Sequence, residues 1–412
     1  MKEVFTMADA LVAAQQKPTN TSFRTLVGIS TAHWVSHLYM YALAMMFPFL
    51  KTELGASYIE LGFALTVSGI TSFVAQAPIG YLCDRIGSLR VLLAGLVLGG
   101  LALILLSLHL SYPWLIGSAV LLGLANSVYH PADYAILAAN IDQSRMGRAF
   151  SIHTFAGYAG TAVAPFFMAG LTAATGGYSA LIVTGMVGPA AALLLVGLAI
   201  PDARAEVEIV DGKRQARATI LSPALILLTV FFLLLSLSIN GINNFGIVAL
   251  MGGYGAPFST ASLALTAFLT ASAIGVLAGG LLADRTRSHG QFAAACFAVN
   301  AVLVVIIALA SLSPAMLITI MIAAGFLSGV IAPSRDMLVH NAAPPGASGR
   351  AFGIVTTGFN LGNILSPVLF GWIMDQQLPH WVFGASAIFM VVTVILALIT
   401  DRDPNRSRRV QT

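Results

Sequence analysis

Charge is scarce in this chain. Of 412 residues, 9% are Asp, Glu, Lys or Arg and 58% are hydrophobic, whereas a soluble domain carries about 25% charged residues. A soluble chain of this length has no way to hide so much apolar surface, so lipid is the solvent for much of it. Cysteine is nearly absent as well. Cys83 and Cys296 are the only two, both in or beside apolar segments, which excludes a disulfide framework or a Cys-based zinc site. No Gly-x-x-x-x-Gly-Lys-Ser/Thr phosphate loop occurs, and no soluble nucleotidase domain fits between the apolar stretches, which argues against ATP-driven transport. The net charge of +4 comes from scattered basic residues, not from one basic module, so nucleic acid is not an expected partner. Met1–Ser22 is polar and mixed in charge, and no secretory signal is expected there.

What the chain does have is long runs free of Asp, Glu, Lys and Arg. They cover 25–50, 61–83, 91–132, 149–201, 218–283, 288–334, 351–374 and 376–400. A spanning helix needs about 20 residues. The first two and last two runs hold one helix each. The four long runs hold two each, split at Ser111-Tyr112-Pro113, at Gly176-Gly177, between Gly252 and Pro257, and between Ser311 and Pro314. The expectation is an all-α membrane protein with twelve transmembrane helices.

Its orientation follows from the basic residues. Of twenty Lys and Arg, only Lys51 falls in a loop on the side opposite the tails, and Arg335 falls inside a helix. The rest place both tails and the central loop, Asp202–Arg217, in the cytoplasm, as expected of a multi-pass protein of the inner (plasma) membrane.

The two halves match. Gly80-Tyr-Leu-Cys-Asp84-Arg85 recurs as Gly280-Leu-Leu-Ala-Asp284-Arg285, an offset of 200. Gly147-Arg-Ala-Phe150 recurs as Gly349-Arg-Ala-Phe352, an offset of 202, and at that offset Gly123 meets Gly325, Pro131 meets Pro333, Gly160 meets Gly362 and Pro165 meets Pro367. An even number of spans separates the copies, so the halves share one orientation, a known transporter design. The predicted division is a six-helix bundle over 1-200, a cytoplasmic linker over 201-221, and a second six-helix bundle with a basic tail over 222-412.

The run Gly80-Tyr-Leu-Cys-Asp-Arg-Ile-Gly-Ser-Leu-Arg90 resembles the loop between spans two and three of the major facilitator superfamily, where Gly-x-x-x-Asp-Arg-x-Gly ends in basic residues. Gly280–Arg287 is similar to its second-half version. The resemblance covers almost the whole chain and implies two pseudo-symmetric bundles. It also implies that spans one, four, seven and ten line a central cavity. The Arg common in span four of the family's drug/proton antiporters is missing from Leu115–Pro131. Tyr129-His130-Pro131-Ala132-Asp133 resembles the His-Pro segment of fosmidomycin-resistance-type exporters.

Ionisable and amide groups inside spans are costly and mark function. His33, His37 and Tyr41 form an i, i+4, i+8 stripe on span one. Asn126, His130, Tyr158, Asn240, Asn243, Asn360 and Asn363 are the other candidate solute contacts, with Asn244 beside Asn243. Helix–helix hydrogen bonding is the alternative role for any of them. His153 and His340 read as near-cytoplasmic and water-contacting. Asp133 and Arg335 are repeat mates at equal depth, so an acid–base gate between halves is expected, with Asp336 beside Arg335 as a competing partner or coupling carboxylate. Gly80, Asp84, Arg85, Arg90, Asp284 and Arg285 form the expected conformational latch, with Asp84 accepting backbone N–H bonds at a helix start.

No resident cofactor or metal is expected. A monomeric secondary transporter of a small polar solute, with an organic anion as one class, is the functional expectation. The titratable His and Asp groups favour protons as the coupling ion. Transition-metal or vitamin-type cofactor uptake remains open, as does a membrane-embedded enzyme or sensor using His130 and Asp133.

Overall fold

A computed structural model describes residues 19–142, 145–203, 222–283, 285–286, 288–342 and 348–401. Asp284, one of the expected latch residues, lies outside them. Thirteen helices occur among the described residues: α1 (Thr19–Met45), α2 (Phe47–Leu54), α3 (Tyr58–Ile86), α4 (Ser88–Leu108), α5 (Tyr112–Asn140), α6 (Met146–Thr175), α7 (Gly177–Gly197), α8 (Pro223–Tyr254), α9 (Phe258–Ala283), α10 (His289–Leu309), α11 (Pro314–Ala342), α12 (Ser348–Asp375) and α13 (His380–Asp401). The four expected splits all fall between helices. One further break was not expected: the first apolar run divides at Met46, before Pro48, into α1 and the eight-residue α2. Proline has no N–H to donate and crowds the carbonyl four residues back, so the helix stops and restarts there.

Among the described residues, ten helices are long and apolar enough to cross a bilayer. The two other long ones are α1 and α5, at 27 and 29 residues. These are the helices that carry His33, His37, His130 and Asp133, so the shortfall in apolarity is concentrated where the candidate site lies. The outward surface is apolar: Leu193, Leu281 and Leu309 are 73%, 70% and 82% exposed, a cost in water that lipid removes.

Helices α1–α7 pack chiefly on one another, as do α8–α13. The halves meet along α3 with α12, α6 with α9, and α1 with α8. In the repeat α3 corresponds to α9 and α6 to α12, so the first two seams are exchanged copies of one another.

The α3–α12 seam is closed at the end where α3 begins and α12 finishes. The first four N–H groups of a helix have no partner within it. In α3 all four find one. The Ser57 N–H donates to Glu60 Oε2 at 2.8 Å, and the Glu60 N–H to Ser57 Oγ at 3.2 Å. The Tyr58 and Ile59 N–H groups donate to the two carboxylate oxygens of Asp375, from the other half, each at 2.8 Å. Thr66 Oγ1 then donates to the Ile364 carbonyl at 2.6 Å. Gly62 lets the helices touch, because a Cβ there would lie 2.2 Å from the Pro367 carbonyl oxygen. At the same end Phe47 and Phe245 meet edge to face at 5.3 Å.

An anion at a helix N-terminus stabilises by about 0.5–2 kcal/mol, so Asp375→Asn should loosen this seam. In a chain without Cys83 and Cys296, a cysteine replacing Thr66 should react with maleimide about five-fold faster when Asp375→Asn is added, since about 1 kcal/mol is a factor of five. An unchanged rate would show that the seam holds without the carboxylate.

Candidate functional site

The N-terminal half contains a group of four histidines. His33 and His37 come from α1, His130 from α5 and His153 from α6. The His33 and His153 rings stack at 3.9 Å with planes 11° apart. His37 meets His33 edge-on at 4.7 Å, and His130 meets it at 5.6 Å. The α1–α6 approach makes this possible. A Cβ on Gly157 would lie 2.6 Å from the His33 ring and 2.9 Å from the His37 ring. Small residues are what let membrane helices come this close.

The hydrogen bonds orient the rings. His33 Nδ1 is 2.8 Å from the His153 carbonyl oxygen. A carbonyl only accepts, so Nδ1 carries the proton. His33 Nε2 is buried with no hydrogen-bond partner. His37 Nδ1 is 2.8 Å from Thr161 Oγ1.

At the bottom of the group lies Asp133, fully buried. Its Oδ2 is 3.7 Å from His153 Nε2, too far for a hydrogen bond but within ion-pair reach. Neither Asp133 oxygen and neither His153 ring nitrogen has a hydrogen-bond partner among the described residues. Cys83, Tyr129 and Tyr134 are the other ionisable groups in its field. Exposure falls in order along this path: His130 is exposed, His37 half-buried, His33 and His153 buried.

His153 is therefore not the water-contacting residue that its sequence position implies. It lies seven residues into α6, and α1 covers it. His340 is exposed, as expected. The stacked arrangement also bears on metals. Parallel rings do not converge their nitrogens on one point, and among the described residues no group of three or more His, Cys, Asp or Glu is arranged to hold a metal ion.

The C-terminal half holds an amide counterpart. Asn240 Nδ2 donates to Asn363 Oδ1 at 2.6 Å and to Ser236 Oγ at 2.9 Å, and Ser236 Oγ donates to Asn363 Oδ1 at 2.8 Å. Thr161 and Asn363 are repeat mates at the offset of 202, and the mates Gly160 and Gly362 lie against His37 and Ser236, so His37–Thr161 and Ser236–Asn363 occupy corresponding places. Asn360 is half-buried one turn before Asn363, and Asn244 is half-buried beside Asn243. Asn243 Nδ2 reaches Tyr41 Oη across the halves at 3.3 Å, and Tyr158 lies close enough to interact with Tyr41 electrostatically. Asn126 turns elsewhere, donating to Ser72 Oγ of α3 at 2.9 Å.

Asp133 and Arg335 are not paired here. Asp133 turns into its own half against His153. Arg335 Nε donates to Asp336 Oδ1 at 2.9 Å. The expected latch is also rearranged. Asp84 is exposed and makes no hydrogen bond or ion pair to another described residue, and Arg85 and Arg285 are exposed. The carboxylate that caps a helix near this loop is Asp202, which accepts the Leu89 N–H at the start of α4 at 2.8 Å and lies 3.9 Å from Arg90 Nε. Gly80 lies against Pro131 of α5. Asp202 takes the role because the chain returning from α7 brings it onto the α4 terminus, an approach of more than a hundred residues in sequence.

Long apolar helices and two repeated halves define a multi-pass membrane protein, with a titratable cluster buried between its helices. The model of the Major Facilitator Superfamily matches residues 29–252 and 230–412, and the chain belongs to that family. It is 26% identical over 402 residues to the fosmidomycin resistance protein of Escherichia coli, covering 94% of this chain and 96% of that protein. It is also 26% identical over 281 residues to YfnC, an uncharacterized transporter of the same superfamily from Bacillus subtilis, covering 66% and 68%. Its fold is similar to a bacterial homolog of the human lysosomal transporter Spinster, solved inward-facing and unoccupied, with TM-score 0.78, 13% identity and coverage of 94% and 98%. A variant of the nucleoside transporter NupG gives TM-score 0.74 at 15% identity, with coverage of 93% and 100%.

Coupling between Asp133 and His153 is measurable in a double-mutant cycle. His153→Leu should lower the melting temperature in detergent more when Asp133 is intact than on top of Asp133→Asn, by an interaction of about 0.5–3 kcal/mol. Additive effects would show that the two side chains are neighbours without being partners.

Proposed function

We propose that this chain is a monomeric, proton-coupled secondary transporter that moves a small polar solute across the inner membrane by alternating access. In this reading α1 and α3–α13 are the twelve spans and α2 is a short helix in a loop. Residues 1-200 and 222-412 are two six-helix bundles joined by the cytoplasmic linker 201-221, and both termini are cytoplasmic. The closed end at Tyr58 and Asp375 is then periplasmic, and the solute path opens toward the cytoplasm.

The observation that carries the coupling is the line of imidazoles ending at Asp133. A carboxylate without water or hydrogen-bond donors is costly when charged. A proton delivered to Asp133 or His153 turns the site into a neutral acid or a charge-assisted pair. His130 at an exposed position, and the unpartnered ring nitrogens of His33 and His153 at buried ones, supply places that can hold a proton on the way to Asp133. Tyr41, Tyr158, Asn240, Asn243, Asn360 and Asn363 supply the uncharged contacts for the solute. The relative matched over its whole length is named for resistance to fosmidomycin, which makes fosmidomycin the first solute to try. Transition-metal uptake is disfavoured by the parallel His33 and His153 rings.

Proteoliposomes with an imposed pH gradient test this reading. The native chain should accumulate or expel fosmidomycin in step with proton movement, read by a pH-sensitive dye inside the vesicles. Asp133→Asn should keep solute exchange at equal pH and lose gradient-driven accumulation. Accumulation at the native level by that variant would remove Asp133 from the coupling path.

A further inference from the structure

We propose that Arg335 anchors a negatively charged group of the transported solute, and that Asp336 holds its place while the site is empty. This rests on the transporter reading and names the class of solute: an organic anion. Arg335 stands seven residues before the end of α11, about 10 Å inside it. Every other described Lys or Arg lies in α2, in a connection, or within six residues of the end of a long helix. A cation at that depth is a functional feature by default.

Its surroundings fit recognition better than architecture. The guanidinium carbon lies 5.0 Å from the centre of the Phe232 ring of α8, over its face. Tyr158 of α6, in the other half, is within its electrostatic reach. The side chain is 19% exposed, so it is not sealed from water. Among the described residues only Nε is engaged, by Asp336. The two Nη atoms make no hydrogen bond to another described residue. A guanidinium with a free fork is suited to bidentate binding of a carboxylate, phosphonate or phosphate.

Asp336 is a poor permanent partner. Successive residues on a helix point about 100° apart and do not face each other, so its carboxylate reaches Arg335 through one oxygen at the side of the fork. It is also 46% exposed. Asp336 therefore offsets the cost of a half-buried cation in the empty site, and an incoming anion that takes the free fork head-on repels its carboxylate toward water. The repeat sharpens the assignment. The mate of Arg335 is Asp133, buried and acidic, so the C-terminal half supplies the anion-binding charge and the N-terminal half supplies the proton-binding group.

Calorimetry on the full-length chain in lipid nanodiscs, at uniform pH, tests this with phenylphosphonate and benzoate against the neutral benzyl alcohol and benzamide. The anions should bind saturably and the neutral compounds should not. Arg335→Gln should abolish anion binding, and Arg335→Lys, which keeps the charge and loses the fork, should weaken it. Asp336→Asn should tighten it about ten-fold, the loss of one charged competitor. That gain cannot come from misfolding. No saturable anion binding, equal binding of the neutral compounds, or undiminished binding by Arg335→Gln overturns the anion class. Unchanged affinity in Asp336→Asn overturns its place-holding role. Because no gradient is imposed, these results stand apart from the flux measurement: binding without proton-driven flux would overturn the transporter reading instead.

Discussion

A hydrocarbon layer tolerates almost no polar group that the protein does not itself satisfy, and the arrangement of this chain follows from that constraint. Backbone groups are satisfied inside helices, and the exposed N–H groups of α3 are all matched, two of them by a carboxylate from the other half. Side-chain charge is rationed in two opposite ways. Asp133 is removed from water completely and left beside an imidazole. Arg335 is left partly open to water with a single displaceable partner. The first arrangement suits a group that changes its own charge. The second suits a group that keeps its charge and changes its company.

The cluster depends on how closely α1 and α6 approach. Gly157 leaves room for two imidazoles where any side chain would collide with them. The same helix pair in the second half, α8 and α12, keeps the contact but carries amides and a serine hydroxyl in place of imidazoles. One packing solution has thus been copied and then given different chemistry: titratable in one half, neutral hydrogen bonding in the other.

The four breaks between long apolar runs, the repeat and the polar stripe on span one were legible in the sequence because each rests on local pattern: breaker residues, fixed offsets, i, i+4 spacing. What escaped depends on tertiary approach. His153 sits near the start of its helix, and depth along the sequence says nothing of the helix that covers it. A signal was present: His153, Gly157 and Gly160 lie at i, i+4 and i+7, one face carrying two glycines, which marks a helix contact. Asp202 and Asp375 each follow or end an apolar run and read as ordinary boundary charges. Their partners are backbone N–H groups more than a hundred residues away, and nothing in the sequence labels a bare helix start as an acceptor's target. Asp84 carried the recognisable motif and drew the capping role that Asp202 performs.

Asp375 also makes the two halves unequal in a way the repeat conceals. At the offset of 202 its counterpart is Ala173, a methyl group with nothing to offer the start of α9. Of two seams related by the repeat, one is tied by charge to a helix terminus and the other has no carboxylate at the matching place. A molecule built this way is not a pair of matched shutters: it carries a bolt on one side of its symmetry axis, and a methyl group stands at the matching place on the other.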